Sequence, residues 1–225
     1  MAAHLPNHLD SHLYLTSAER VIASLRHAIT SGVLQAGTPV RQEEVAAQHN
    51  VSRMPVREAF RQLEAEGLLV VYPGRGAFVK RLLPAEVREI YDIRILLECD
   101  ALRRAMPSLT APILSEAESL LTALGATADG QAFGKLDEKF HAVLYTPAQR
   151  PRLLALINTL RNQVTQFLYA AAPLQTYRNS ALDEHRAILN ACHVGNVTAA
   201  VAAVEVHLRN SVEIVVAITQ PTDER

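Results

Sequence analysis

Asp137 and His141 stand four residues apart, a spacing that on an α-helix brings a carboxylate and an imidazole one above the other on a single face. Phe133, Phe140 and Leu144 share that face, so both polar groups are expected to point inward, where such a pair can chelate one ion. His185 lies between Leu182 and Leu189 on a second apolar stripe, and His207 lies among Ala200, Val204, Ile214 and Ile218 on a third. The turn signal at Gly195-Asn196 follows His185 by about ten residues and precedes His207 by about twelve. At about 1.5 Å of rise per residue the two rings are therefore about 15 and 18 Å from the turn, level with each other in an antiparallel hairpin. A single inward histidine is more often a hydrogen-bonded core residue than a ligand, and this pair can also serve simply to satisfy Asp137. Four ligand-type residues together, with no evident set of basic partners, favour a metal over a closed polar network. Three imidazoles and one carboxylate are borderline-soft, which favours zinc, nickel or iron over calcium or magnesium. Arg94 lies in the middle of a further apolar face made by Val87, Ile90, Leu97 and Ala101, and an arginine facing a core needs an anionic partner. A metal with open positions can also activate water, but Glu138 and Glu184, which flank the ligands, are turned off the stripes by helical phase and leave no evident general base.

A second constellation lies upstream. Arg53, Arg57 and Arg61 recur every four residues and form a guanidinium stripe, while Val56, Phe60 and Leu63 recur on the opposite side. Ser52 is placed to cap this helix, and Pro55 costs little in a first turn whose backbone N–H groups have no intrahelical partner. Such a helix fits a major groove, where arginine bonds phosphates and the acceptor edge of guanine; the bland alternative is a solvated basic face.

The elements that must position these groups are mostly helical. Thr16 and Glu19 form a capping box for a first helix ending near Gly32, with Val21, Ile22, Leu25 and Ile29 on one side. A Gly37-Thr38-Pro39 turn leads to a short second helix from Gln42 to Gln48, and Asn50 leads into the arginine helix, which is helix-turn-helix order. Leu68 to Tyr72 and Ala77 to Val79, separated by Pro73-Gly74-Arg75-Gly76, suit a two-stranded wing whose Gly74 allows close backbone approach and whose Arg75 can enter a minor groove. Beyond a linker at residues 81–85, helices are expected near 85–106, 112–124, 130–145, 149–171, 177–193 and 197–218, broken by prolines and glycines. The fold class is therefore mainly α: an arm over 1–14, an N-terminal winged helix-turn-helix over 15–80, an all-helical bundle over 86–219 and a tail over 220–225.

Leu25-Arg26 with Ile29 and Gly32, then Ser52-Arg53 with Pro55-Val56-Arg57-Glu58-Ala59, then Leu63-Glu64 with Glu66-Gly67-Leu68, closely resemble the pattern of GntR-type winged-helix repressors. The resemblance implies that Ser52, Arg53 and Arg57 meet DNA and that Gly74 in the wing reaches the minor groove. Ala36, where a proline usually precedes the glycine, and Glu43, an arginine in some members, depart from the pattern. The second half resembles the FCD-type effector domain of one branch of that family. That resemblance implies a divalent metal, zinc or nickel, on Asp137, His141, His185 and His207. It also implies an organic acid engaged by Arg94, with Glu98 one turn on. It further implies a homodimer on a short palindromic operator, released or rearranged when a small carboxylate completes the metal shell.

Composition is compatible with this reading. With 225 residues, 49% of them apolar, the chain can bury a sizeable core and is well over a hundred residues longer than a single small winged helix. Its net charge is −1, and the two halves differ only modestly, so the arginine face and not bulk charge carries the case for nucleic acid. Cys99 and Cys192 are isolated, no apolar run approaches the ~20 residues of a membrane span, and no signal-peptide core is present, so a cytoplasmic protein is expected. His4, His8 and His12 recur every four residues around Pro6 and suit a loose arm better than a metal site. A regulator, not an enzyme, is the expected class; the alternatives are a sensor for which the metal itself is the signal and a metal-dependent hydrolase with an appended DNA-binding module.

Overall fold

The computed structural model describes residues 15–171 and 175–219, so His4, His8, His12, the arm and the tail lie outside the described residues. Helix α1 (Ser17–Thr30) starts at the capping box, with Glu19 N–H donating to Thr16 Oγ1 at 3.1 Å and Thr16 N–H to Glu19 Oε2 at 2.7 Å. Strand β1 (Pro39–Val40), α2 (Gln42–His49) and α3 (Arg53–Ala65) follow, then β2 (Leu69–Tyr72) and β3 (Gly76–Val79). The sheet order is β1-β3-β2, all antiparallel, with Val40 opposite Ala77 and Val71 opposite Ala77 on the other side. The Gly37-Thr38-Pro39 segment is thus more than a turn. Gly37 N–H donates to Val79 O, and Val79 N–H to Thr38 O, which draws two residues into the wing as a third strand. Val21, Leu25, Ile29, Val56, Phe60, Leu63, Leu69 and Val79 form one core beneath α1, α3 and the sheet.

Ser52 is the N-cap residue of α3 but makes no capping hydrogen bond. The third helical position is Pro55, which has no N–H to offer, so the expected cap is not formed and the hydroxyl stays exposed. At the other end, Leu68 N–H reaches Leu63 O at 2.9 Å and Gly67 N–H reaches Glu64 O at 2.9 Å, a Schellman closure with Gly67 at φ +73°.

The bundle consists of α4 (Pro84–Ala105), α5 (Ala111–Ala126), α6 (Gly130–Tyr145), α7 (Pro151–Ala171), α8 (Gln175–His193) and α9 (Val197–Thr219), with 3-10 turns after α4 and α6. Pro84 occupies the first turn of α4, and Leu82, just before it, is buried in the bundle core. In α9 the inward stripe is Ala200, Val204, His207, Leu208, Ser211 and Val215; Ile218, expected on that stripe, is instead at its exposed edge. Two amide side chains tie the bundle to the winged helix: Gln163 on α7 donates to Glu66 O at 2.9 Å, and Gln131 on α6 donates to Ser31 O at 3.3 Å. Glu66 also receives Arg26 through two hydrogen bonds of 2.6 and 2.8 Å.

A methyl group on Gly67 would lie 2.7 Å from Gln163 Nε2. Gly67→Ala should therefore cost left-handed strain plus the Gln163 bond, about 1–3 kcal/mol together, and lower the melting temperature followed by circular dichroism by several degrees. An unchanged melt would show that this junction carries no stability.

Candidate metal centre and nucleic-acid face

Helices α6, α8 and α9 bring Asp137, His141, His185 and His207 to one point, with one ligand atom from each lying within 4.8 Å of all the others. Asp137 Oδ1 is 3.0 Å from His185 Nε2 and 3.8 Å from His141 Nε2, and the two Nε2 atoms are 3.1 Å apart. Ligand atoms on a metal at about 2.1 Å are separated by about 3.0 Å at adjacent octahedral positions and about 3.4 Å at tetrahedral ones. The separations of 3.0, 3.1 and 3.8 Å lie around these values, while the full set spreads over as much as 4.8 Å and would have to draw in around an ion.

The protons fit too. The Tyr145 hydroxyl donates to Glu98 Oε2 at 3.2 Å and lies 3.2 Å from His141 Nδ1. A phenol whose proton is committed can only accept, so Nδ1 of His141 is the donor and its Nε2 keeps a lone pair facing the cluster. Glu184 Oε2 accepts from His207 Nδ1 at 2.8 Å, with the same consequence for the Nε2 of His207. Two lone pairs and a carboxylate oxygen thus converge, and His185 Nε2 has only one proton to offer them. Its Nδ1 is buried without a partner. A cation suits this surplus of acceptors.

Burial holds His141 well below the ordinary imidazole range, against the pull of Asp137, and lowers His185 as well. Burial would raise the Asp137 carboxyl, but Arg161, with His185 and His141 beside it, outweighs that and holds it well below its usual range. Burial, reinforced by Glu98, pushes the Tyr145 phenol well up. His141 and His185 are therefore held as neutral imidazoles beside an ionised Asp137, as coordination requires.

Sequence reasoning missed Arg161, the basic partner of Asp137. Its Nη2 makes a short ion pair with Asp137 Oδ2, leaving Oδ1 to the histidines. Ile157, Arg161 and Val164 share the buried face of α7, a stripe that held the signal. Glu184 was also set aside: its phase turns it off the His185 stripe, but α9 packs alongside and presents His207 to it. Arg94 is buried, bonded through Nε to Glu98 Oε1 at 2.8 Å and set 4.6 Å from the centre of the Tyr91 ring. Its Nη1 and the Tyr91 hydroxyl are both buried without a well-formed hydrogen bond. A cavity of about 90 Å³ opens beside His141, Tyr145, Glu138 and Arg161. The wider 830 Å³ hollow between α5 and α6, lined by Ile113, Leu120, Lys139 and Val143, presents none of the ligand atoms.

On the winged helix, Arg57 and Arg61 are exposed on α3 and make no ion pair among the described residues. Arg53 is tethered to Glu43 at 3.1 Å, an exposed contact of little net energy that gives the departure at Glu43 a structural role. Arg75 sits at the wing tip beside Tyr72, 5.8 Å from the ring centre, and Gly74 next to it has φ +73°. Arg53 and Arg75 line a shared 480 Å³ hollow between wing and helices.

Residues 17–79 match the family model of bacterial regulatory proteins, gntR family, and residues 89–210, more than half of the chain, match the FCD domain model. The chain belongs to the GntR family, in its FCD branch. It is a DNA-binding transcriptional regulator. This GntR regulator is 29% identical over 209 residues to the HTH-type transcriptional repressor RspR of Escherichia coli, covering 92% of each chain. Among solved structures, E. coli McbR/YncC superimposes with a TM-score of 0.79 at 22% identity, over 90% of this chain and 98% of that one. A putative GntR regulator from Rhodococcus sp. RHA1 does so with 0.77 at 25%, over 89% and 97%. Among the described residues of this GntR regulator, no helix is long and apolar enough to cross a membrane.

Two outcomes are expected. His185→Ala combined with His207→Ala should abolish binding of zinc, measured by elemental analysis after dialysis, while leaving DNA binding intact; full occupancy in the double variant would put the ion elsewhere. Arg57→Ala should weaken operator binding at fixed salt by about 1–3 kcal/mol if the guanidinium reads a base, with a smaller loss on random duplex.

Proposed function

We propose that this GntR regulator is a homodimeric repressor that binds a short palindrome through Ser52, Arg53, Arg57, Arg61, Gly74 and Arg75. Its operator affinity is set by a small carboxylate held beside a divalent transition metal, zinc or nickel. The repressor sense rests on the similarity to the transcriptional repressor RspR. The observation that carries the effector reading is the pair of orphaned groups behind the ligand set. Arg94 Nη1 and the Tyr91 hydroxyl are both buried without a well-formed hydrogen bond, the guanidinium lying close against the phenol, and Arg94 is connected to His141 through Glu98 and Tyr145. An anion supplies the acceptors they lack.

Asp137, His141, His185 and His207 would hold the metal, which when bound supplies Lewis-acid positions for carboxylate oxygens. Arg161 keeps Asp137 ionised and fixes which oxygen faces the histidines. Glu184 and Tyr145 orient the rings of His207 and His141. Occupancy is felt outside the bundle because Asp137 and Arg161 join α6 to α7, and the same two helices carry Gln131 and Gln163 to the ends of α1 and α3. A change in how α6 sits against α7 therefore shifts the recognition helix relative to the rest of the molecule.

The test is operator affinity of zinc-loaded protein across a panel of mono-, di- and hydroxycarboxylates. At least one compound should change the dissociation constant tenfold or more, and metal-free protein should not respond. Arg94→Lys is the informative variant, because Arg94→Met would leave the buried Glu98 without its cation. The lysine variant should keep metal and operator affinity yet lose the response. If zinc alone changes affinity and no carboxylate adds to it, the metal is the signal.

A further inference from the structure

Helix α3 carries one side chain that neither the core nor the arginine stripe explains. Met54 is 78% exposed, and among the described residues no large apolar side chain is more so. It is the second residue of α3, between the exposed Arg53 and the half-buried Pro55. At about 100° per residue it points about 170° away from the centre of the buried Val56, Ala59, Phe60 and Leu63, so it stands in the middle of the outward face. Arg57 and Arg61 flank it on one side, one and two turns further along, and Glu58 flanks it on the other. Arg53 is drawn off toward α2, its guanidinium 3.1 Å from Glu43, and leaves the thioether uncovered. Because side chains on a helix lean toward its amino-terminal end, Met54 projects over the first turn, ahead of Arg57 and Arg61.

We propose that Met54 reads the 5-methyl group of a thymine in the major groove, one or two base pairs from the position that Arg57 meets. The proposal rests on α3 being the recognition helix, whose first residues reach base edges. A thioether offers no donor and only a weak acceptor, so readout by hydrogen bonds is closed to it. The thymine methyl is the one apolar group that the four bases present in the major groove, and contact with it removes apolar surface of both partners from water. Methionine is unbranched with three rotatable bonds, which lets it lie along the groove floor to make that contact. Side chains three apart on a helix are about 5–6 Å apart at Cβ, against about 3.4 Å of rise per base pair, and this sets the distance between the thymine and the position opposite Arg57. The other use of an exposed methionine on DNA, as a wedge between base steps, belongs to the minor groove, which suits the wing and not α3.

The experiment starts from the duplex that the full-length protein enriches from a randomised library at fixed salt. Affinity is then measured for that duplex and for copies in which one thymine at a time is replaced by deoxyuridine, which keeps the base pairing and lacks only the methyl. At one thymine the replacement should weaken wild-type binding about fourfold, the factor for losing one methyl from an apolar contact. Met54→Ala should melt like wild type, since the side chain is exposed, bind the thymine duplex more weakly, and no longer distinguish it from the deoxyuridine copy. Tolerance of deoxyuridine at every position, or a Met54→Ala variant that keeps the wild-type discrimination, would overturn the proposal. A loss of affinity with Arg57→Ala on the same duplexes would in that case leave α3 standing as the recognition helix. Indifference to Arg57→Ala as well would remove both.

Discussion

The Asp137 carboxylate is the group around which the bundle is organised. It is ionised and nearly enclosed by protein, a state that persists only with charged or hydrogen-bonding partners on every side. Arg161 takes one oxygen and the histidines take the other. Because those partners come from α7 and α8, with His207 on α9 stacked on His141 and tilted against His185, one carboxylate sits at the meeting point of four helices. The surrounding apolar residues fill space; the carboxylate specifies which filling is allowed.

The outer contacts of the histidines decide what the centre can do. Glu184 and Tyr145 take the outward protons of His207 and His141, so the inward nitrogens present lone pairs toward one another. Such an arrangement is costly for a closed polar network and natural for a ligand set. The same economy of partners appears at the domain junction. Gln163 is two residues from Arg161 on α7, and its amide reaches the backbone at the end of α3, where Gly67 leaves room for it. The candidate metal centre and the end of α3 are thus separated by a single helix and two side chains.

Much of this was legible in the sequence, and what was not has physical reasons. Helix positions followed from the 3.6-residue period and from Pro84 and Gly195, although Gly125, expected to end a helix, lies inside α5; the four candidate ligands stood out as polar residues on apolar stripes. Arg161 did not, because flanked by Leu160 and Asn162 it reads as an ordinary surface arginine until the packing of α7 turns it inward. Glu184 was hidden for a related reason: phase describes a residue's own helix and says nothing of a neighbour that lies alongside. Strand β1, two residues long, is too short to carry a period, and only its pairing with β3 defines it. The cap expected from Ser52 failed on a local detail, the missing N–H of Pro55.

That the Asp137 centre is coupled to the DNA-binding face is the claim most worth testing, and hydrogen exchange reads it directly. Zinc added to metal-free protein should slow exchange in α6 and α7. It should also change exchange at the amides of Gly67 and Leu68, which close α3, and of Leu34, which bonds Ala28 O after α1. Slowed exchange confined to the bundle, with the ends of α1 and α3 unaffected, would show a metal site that the winged helix does not sense and would contradict the account.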